Sequence, residues 1–167
     1  MVTGWNCFNQ SLAEQIINKG VMENRKKVGV GCGVMLLRGG KILLGRRHTD
    51  PAKTDSEPRG EGSWTMPGGT LEFGEFFEDG ARREVFEETG LALTDVVVIC
   101  VNNDRNEHAH FVTIGLFSDN FNGEPRVMEL DEIVEWKWFD IGNLPSPMYF
   151  PSLKIAENYK KKLFYVS

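Results

Sequence analysis

Residues 69–91 read GTLEFGEFFEDGARREVFEETGL. Seven of these side chains are acidic and only two are arginines. No proline interrupts Phe76 to Thr89, and Phe77, Ala81 and Val85 recur every four residues, so the spacing predicts a helix with one apolar stripe. Glu75, Glu78 and Asp79 fall near its N-terminus, where the helix dipole favours negative charge. Gly90 stands where a left-handed cap is wanted, followed by Leu91 as the hydrophobic partner. Gly80 weakens the helix by roughly 1 kcal/mol relative to alanine and is tolerable if another group packs closely there.

Glu84, Glu87 and Glu88 stand at i, i+3 and i+4 and therefore share one helix face. Two like charges ~4 Å apart repel by roughly 4 kcal/mol at an effective dielectric near 20. Arg82 and Arg83 do not balance so many acids. An acidic face is most often simply a solvated face. A divalent cation would instead turn the repulsion into binding, and with only oxygen ligands at hand Mg²⁺ or Mn²⁺ suits better than zinc.

The flanking residues favour the cation. Gly69, five residues, Glu75, seven residues, then Arg83-Glu84-Val85-Phe86-Glu87-Glu88-Thr89-Gly90-Leu91 match every fixed position of G-x5-E-x7-R-E-U-x-E-E-x-G-U, with U aliphatic. This is the box of the Nudix (MutT-like) hydrolases, which the chain resembles from about Val28 to about Leu153, including WTMPGG and EWKWFDIGNLP. Residues 1–27 lie outside the resemblance, as an N-terminal extension to a domain over 28–167.

The resemblance implies an α/β fold: an α/β/α sandwich around a central mixed β-sheet, with the box as loop-helix-loop. It implies hydrolysis of a nucleoside diphosphate linked to another moiety. Glu84, Glu87 and Glu88 correspond to the metal ligands, joined by the carbonyl of Gly68 or Gly69, with Glu84 able to act also as a base. Arg83 corresponds to the partner of Glu75, and Gly90 to the helix terminator. The base varies within the family, leaving Asp104, Glu107, Glu129, Asp131 and Glu132 as further candidates. Arg46 and Arg47 end a strand, where they are either solubilising charge or phosphate ligands. Thr65, Met66, Thr113, Tyr149 and Phe150 match positions that line substrate pockets in the family, and each could equally fill core. His48, His108 and His110 lack mutual metal-ligand spacing and read as loop or strand residues.

Two subclass marks are absent. Glu107 stands where one ADP-ribose class has proline, and no tyrosine accompanies His108 and Ala109 as in a dinucleoside-polyphosphate class. GSWTMPGGTLEFGE, HFVTIGL and SPMYFP most resemble sanitising nucleoside-triphosphate pyrophosphatases. The expectation is a Mg²⁺-dependent enzyme cutting an NTP or dNTP, modified or not, to a monophosphate and pyrophosphate. ADP-ribose or a nucleotide sugar is the alternative substrate. A Nudix-fold sensor without turnover is the alternative of another class, disfavoured because every box carboxylate is present.

The remaining chain is consistent with this reading. Its 167 residues suffice for one domain with a core. A net charge of −5 provides no global basic field, so the expected partner is a small nucleotide and not a nucleic-acid polymer. Cys7, Cys32 and Cys100 are widely spaced, which argues against a zinc site or disulfide framework. No apolar run approaches the roughly 18 residues of a membrane span. The start lacks signal-peptide character, so a cytoplasmic location is expected. Relatives commonly form homodimers. Strands are predicted at VGVGCGVMLL, returning through Gly39-Gly40 as KILLGRR, then at DVVVICVNN, HFVTIGLFS and EWKWFD. A helix is expected at SLAEQIINKG and another over Phe150 to Phe164, with a long loop at 48–63.

Overall fold

The computed structural model describes residues 27–50, 60–105 and 110–166. The SLAEQIINKG helix, Cys7, most of the 48–63 loop, Glu107 and His108 lie outside the described residues. The strands are β1 (Gly29–Arg38), β2 (Lys41–Arg47), β3 (Trp64–Thr65), β4 (Ala92–Leu93), β5 (Val97–Arg105), β6 (His110–Ser118), β7 (Phe121–Asn122), β8 (Ile133–Asp140) and β9 (Tyr165–Val166). The helices are α1 (Phe77–Thr89) and α2 (Phe150–Lys161).

The main sheet runs β3-β2-β1-β6-β5-β9, with β8 also on β2. β1 and β6 pair in parallel from Gly29↔Phe111 to Leu36↔Ser118, whereas β1–β2, β2–β8 and β5–β6 are antiparallel, so the sheet is mixed. Strand alternation then sorts the side chains into two cores. Cys32, Val34, Leu36, Leu43, Ile114 and Leu116 join Ala81 and Val85 of α1 on one face. Met35, Ile42, Leu44 and Cys100 join Ile155 and Ala156 of α2 on the other. The result is the expected α/β/α sandwich. Trp136 and Trp138 share the α1 face, as their spacing in β8 requires.

One detail of the sheet positions the site. β1 pairs with β2 only beside the hairpin turn, at Leu37↔Ile42 and Arg38↔Lys41. Upstream, residues 67–71 take β2's place at the edge of β1. Val34 N–H donates to Pro67 O at 2.8 Å, Cys32 N–H to Gly69 O at 2.8 Å and Leu71 N–H to Val30 O at 3.1 Å. A side chain at Gly68, where φ is +143°, would put its Cβ 2.2 Å from the Cys32 carbonyl oxygen. The small residues of β1 thus admit the backbone that leads into α1.

α1 begins one residue later than expected. Its stripe is shorter too: Ala81 and Val85 are fully buried, but Phe77 is 41% exposed. Gly90 caps the helix at φ 72°, its N–H reaching Phe86 O, and Leu91 is buried behind it. Gly80 has its close neighbour, since a Cβ there would lie 2.5 Å from Leu71 Cδ2. α2 stops at Lys161, short of Phe164, because Lys162 turns left-handed at φ 53°.

Candidate active site

The backbone of 67–71 lies against α1, and their side chains interlock. Arg83 donates through Nε and Nη2 to the two oxygens of Glu75, both at 2.9 Å. It also reaches Thr70 O at 3.2 Å, so one guanidinium ties the loop to the helix. These bonds hold Glu75 at a pKa of about 2. Nη1 of Arg83 continues to Glu84 Oε1 at 2.8 Å and Glu87 Oε2 at 3.2 Å. On the inner side, Glu88 is only 7% exposed and accepts the Gly68 N–H at 2.9 Å.

The three α1 glutamates therefore differ in environment. Burial raises the proton affinity of Glu88 strongly, opposed by the Gly68 N–H and reinforced by the charges of Glu84, Glu129 and Glu132. Glu84 is raised for the same first reason, with Arg83 pulling the other way. Glu87 keeps its side chain half in solvent. Glu129 is raised by burial and by Glu132 and Glu87. A dication is the species that relieves such a cluster.

Among the described residues, no three His, Cys, Asp or Glu side chains are already drawn together as metal ligands. Arg83 and the Gly68 N–H hold these carboxylates instead. The donor set nevertheless fits a hard divalent ion: every side-chain donor is oxygen, and the Gly69 backbone packs so closely on Glu84 that an added Cβ would lie 2.6 Å from both carboxylate oxygens.

These groups border a cleft of about 440 Å³, within the usual range for small-ligand sites. Glu84, Glu87, Glu88, Glu129 and Glu132 line it, together with Gly68, Gly69, Arg47, Thr65, Asp104, Thr113 and Tyr149. Cys32 also borders it, its thiol pushed up to about 11 by burial. Arg47 is buried, with its guanidinium carbon 4.9 Å from the centre of the Tyr149 ring.

Three expected substrate residues are not in the cleft. Arg46 is exposed on the opposite side of β2, because adjacent strand residues face opposite ways, and it stands in backbone register with Glu135 of β8. Met66 is 2% exposed and fills the core beneath α2, contributing its N–H to Ser152 Oγ at 3.0 Å. Phe150 opens α2 as a 57% exposed residue, with Lys154 Nζ 5.3 Å from the centre of its ring. Of the base candidates, Asp104, Glu129 and Glu132 line the cleft and Asp131 does not. His48 accepts the Asp50 N–H, and His110 pairs with Asn103, so both belong to local structure.

Sequence reasoning missed Phe111, Pro151, Ser152 and Ile155, which also line the cleft. The last three were within reach, since positions 151, 152 and 155 share a helix face. Nothing local signalled Lys154, whose Nζ pairs with the buried Asp104 at 2.7 Å.

The fold is an α/β/α sandwich whose glutamate cluster borders a cleft of small-ligand size. The chain belongs to the Nudix, MutT-like family, for the NUDIX domain model matches residues 25–159. It is 29% identical over 161 residues to an ADP-ribose pyrophosphatase of Methanocaldococcus jannaschii, covering 93% of this chain and 89% of that one. It is 33% identical over 116 residues to an oxidized purine nucleoside triphosphate hydrolase of Danio rerio, covering 67% and 66% respectively. A crystal structure of a MutT NUDIX hydrolase from Burkholderia pseudomallei superposes with a TM-score of 0.70 at 32% identity, over 79% of this chain and 98% of that one. The protein is thus a hydrolase of pyrophosphate bonds. Among the described residues, no helix is long and apolar enough to cross a membrane.

Proposed function

We propose that the chain hydrolyses a nucleoside or deoxynucleoside triphosphate, modified or not, to the monophosphate and pyrophosphate. Water adds across the α–β anhydride, its oxygen joining one phosphorus while the bridging oxygen departs with the other. The observation that carries this reading is one cleft lined both by a glutamate cluster and by Arg47, Tyr149, Thr65 and Thr113. Such a lining suits a ligand with a polyanionic end and an aromatic, hydrogen-bonding end.

Glu84, Glu87 and Glu88, with the carbonyl of Gly68 or Gly69, would hold Mg²⁺ or Mn²⁺. Once bound, the ion supplies charge neutralisation on the phosphate oxygens and a more acidic water. Arg83 anchors Glu75 and keeps the loop seated on α1. Arg47, packed on Tyr149, offers a guanidinium to phosphate oxygens. Glu129, which lines the cleft with Glu84, Glu87 and Glu88, is assigned to proton acceptance, its proton affinity raised by burial and by Glu132 and Glu87.

ADP-ribose is the second reading, favoured by the Methanocaldococcus jannaschii relative that aligns over 93% of this chain. A hydrolysis panel with product identification separates the two. Pyrophosphate released from dNTPs supports the proposal. AMP and ribose 5-phosphate from ADP-ribose, with triphosphates untouched, refutes it.

A further inference from the structure

One buried polar pair takes no part in the chemistry proposed above. Asn102 of β5 is fully buried and Asn158 of α2 is nearly so. Asn158 Nδ2 donates to Asn102 Oδ1 at 2.8 Å. The two amides meet between the sheet and α2, on the side where Cys100, Ile155 and Ala156 pack into apolar core. Stability alone does not call for such a pair, because replacing both partners by apolar groups of the same shape is nearly neutral or stabilising. An apolar pair lacks direction, however. Hydrophobic contact is non-directional, whereas a buried amide pair is satisfied in one relative placement and fixes the register of the elements it joins.

The helix so joined carries one wall of the cleft. Pro151, Ser152 and Ile155 of α2 line it, and so does Tyr149, which precedes the helix and packs on Arg47. Apolar contact sets how closely α2 approaches the sheet: an added Cβ at Gly33 or Gly115 would lie 2.7 or 3.1 Å from the Ile155 side chain. Two bonds tie the start of α2 to the strand beneath it, Tyr149 N–H to Trp64 O at 2.8 Å and Met66 N–H to Ser152 Oγ at 3.0 Å. A rod tied at one end still swings about that end. Lys154 reaches Asp104 through a long, flexible stem, which directs the helix poorly. Asn158, with its short side chain, holds α2 about 9 Å along the axis from Ser152 at the α-helical rise. Its partner is itself fixed in the sheet, in register with Thr113 of β6 and Val166 of β9.

We infer that Asn102 and Asn158 are positioning residues: by orienting α2 they place Tyr149, and with it Arg47, for the nucleotide. Neither amide lines the cleft. The glutamates have their own anchors in Arg83 and the Gly68 N–H, which belong to α1 and its loop. A shift of α2 therefore weakens the hold on substrate and transition state alike, which raises KM and leaves kcat. The inference rests on the reading of Arg47 and Tyr149 as substrate contacts and deepens it.

The test compares wild type, Asn102→Leu/Asn158→Leu and Asn102→Asp. Each is measured by thermal melting, by kcat and KM for the four dNTPs, and by calorimetric binding of their α,β-methylene analogues, which resist cleavage at that bridge. Leucine has the branching of asparagine without its polar atoms, so the double variant should melt at or above the wild-type temperature. Its KM and its dissociation constants for the analogues should nevertheless rise severalfold, with kcat unchanged. Asn102→Asp keeps an acceptor for Asn158 but buries a carboxyl group, so it should melt lower and keep the wild-type KM. A KM that follows Tm across the set overturns the inference. So does a leucine pair with wild-type KM and analogue binding, or a loss confined to kcat. Should the leucine pair fail to fold, Asn102→Leu against Asn102→Asp still decides: the first should raise KM and the second should not, and equal values count against the amides. The two readings fail separately. Triphosphate turnover with KM unmoved by the leucine pair sinks only the role of Asn102 and Asn158. Analogue binding weakened by that pair, with no triphosphate turnover in any form, sinks only the proposed reaction.

Discussion

Gly68 and Gly69 are chain neighbours, yet the same added methyl should have opposite consequences at the two. At Gly68 the backbone sits at φ +143°, a region that L side chains rarely adopt, and a Cβ would meet the Cys32 carbonyl oxygen at 2.2 Å. That oxygen belongs to β1, which is paired along its length with β6 and does not yield. Backbone strain of about 1–3 kcal/mol and overpacking of about 1–3 kcal/mol then act together. Gly68→Ala should lose about 2–6 kcal/mol, a fall in Tm of roughly 4–24 °C at the 2–4 °C per kcal/mol expected for a domain of this size. At Gly69 the obstruction is a side chain, with both Glu84 oxygens 2.6 Å from the added Cβ. Glu84 must retreat by roughly 0.8 Å to reach ordinary contact at 3.4 Å. Displacement of about 1 Å in a catalytic constellation costs on the order of 10²-fold in rate. Stability should change by less than about 1 kcal/mol, since alanine also restricts the unfolded chain. Thermal melts and kcat/KM measured on both variants decide the matter. If Gly69→Ala turns over like wild type, or Gly68→Ala melts at the wild-type temperature, the packing of the loop against β1 and Glu84 described here is wrong.

Other perturbations separate the remaining roles. The folded-state pKa values of Glu84 and Glu88 lie above their ordinary value of 4.5, so in metal-free protein their contribution is fully present below that pH and is lost as pH rises through the raised values. In EDTA, wild-type Tm should therefore fall as pH rises above 4.5, Glu88→Gln should flatten that fall, and Mg²⁺ should reverse it; a variant slope equal to wild type would contradict the buried charge. Glu75 has the opposite sign: pairing with Arg83 stabilises above pH 4.5 and is lost as pH drops towards about 2. Arg83→Met should lower stability, because it removes the partly exposed charged hydrogen bonds to Glu75 and Thr70 O that tie the loop to α1, and calorimetry would read the loss at neutral pH. Arg47→Met should raise KM for the nucleotide severalfold while Arg46→Met leaves it alone, and equal effects would show that strand facing does not decide phosphate contact. Glu87→Gln and Glu88→Gln should each abolish most Mg²⁺-dependent turnover, and full activity in both would remove the glutamates from the site.

Much of this was legible locally. The α1 helix, its Gly90 cap, the Glu75–Arg83 pair and the shared face of Glu84, Glu87 and Glu88 depend on residues within a few turns of one another. Even Gly80 announced a close neighbour, although only the fold identified it as Leu71. The pocket residues were harder. Thr65, Met66, Thr113, Tyr149 and Phe150 looked alike as candidates, but burial beneath α2 took Met66 into core and the start of a helix turned Phe150 towards solvent.

What the chain fixed on its own is therefore whatever local rules determine: helix periodicity, the chemistry of a left-handed cap, strand alternation and the spacing of like charges. Tertiary structure decided the contacts between distant segments. It set β1 parallel to β6, laid 67–71 along the edge that β2 leaves, turned Arg47 inward and Arg46 outward, and brought Lys154 across to Asp104. The physical reason is that like charges and apolar stripes disclose their needs within one helical turn, whereas a carboxylate's partner fifty residues away is selected only when packed layers close around both.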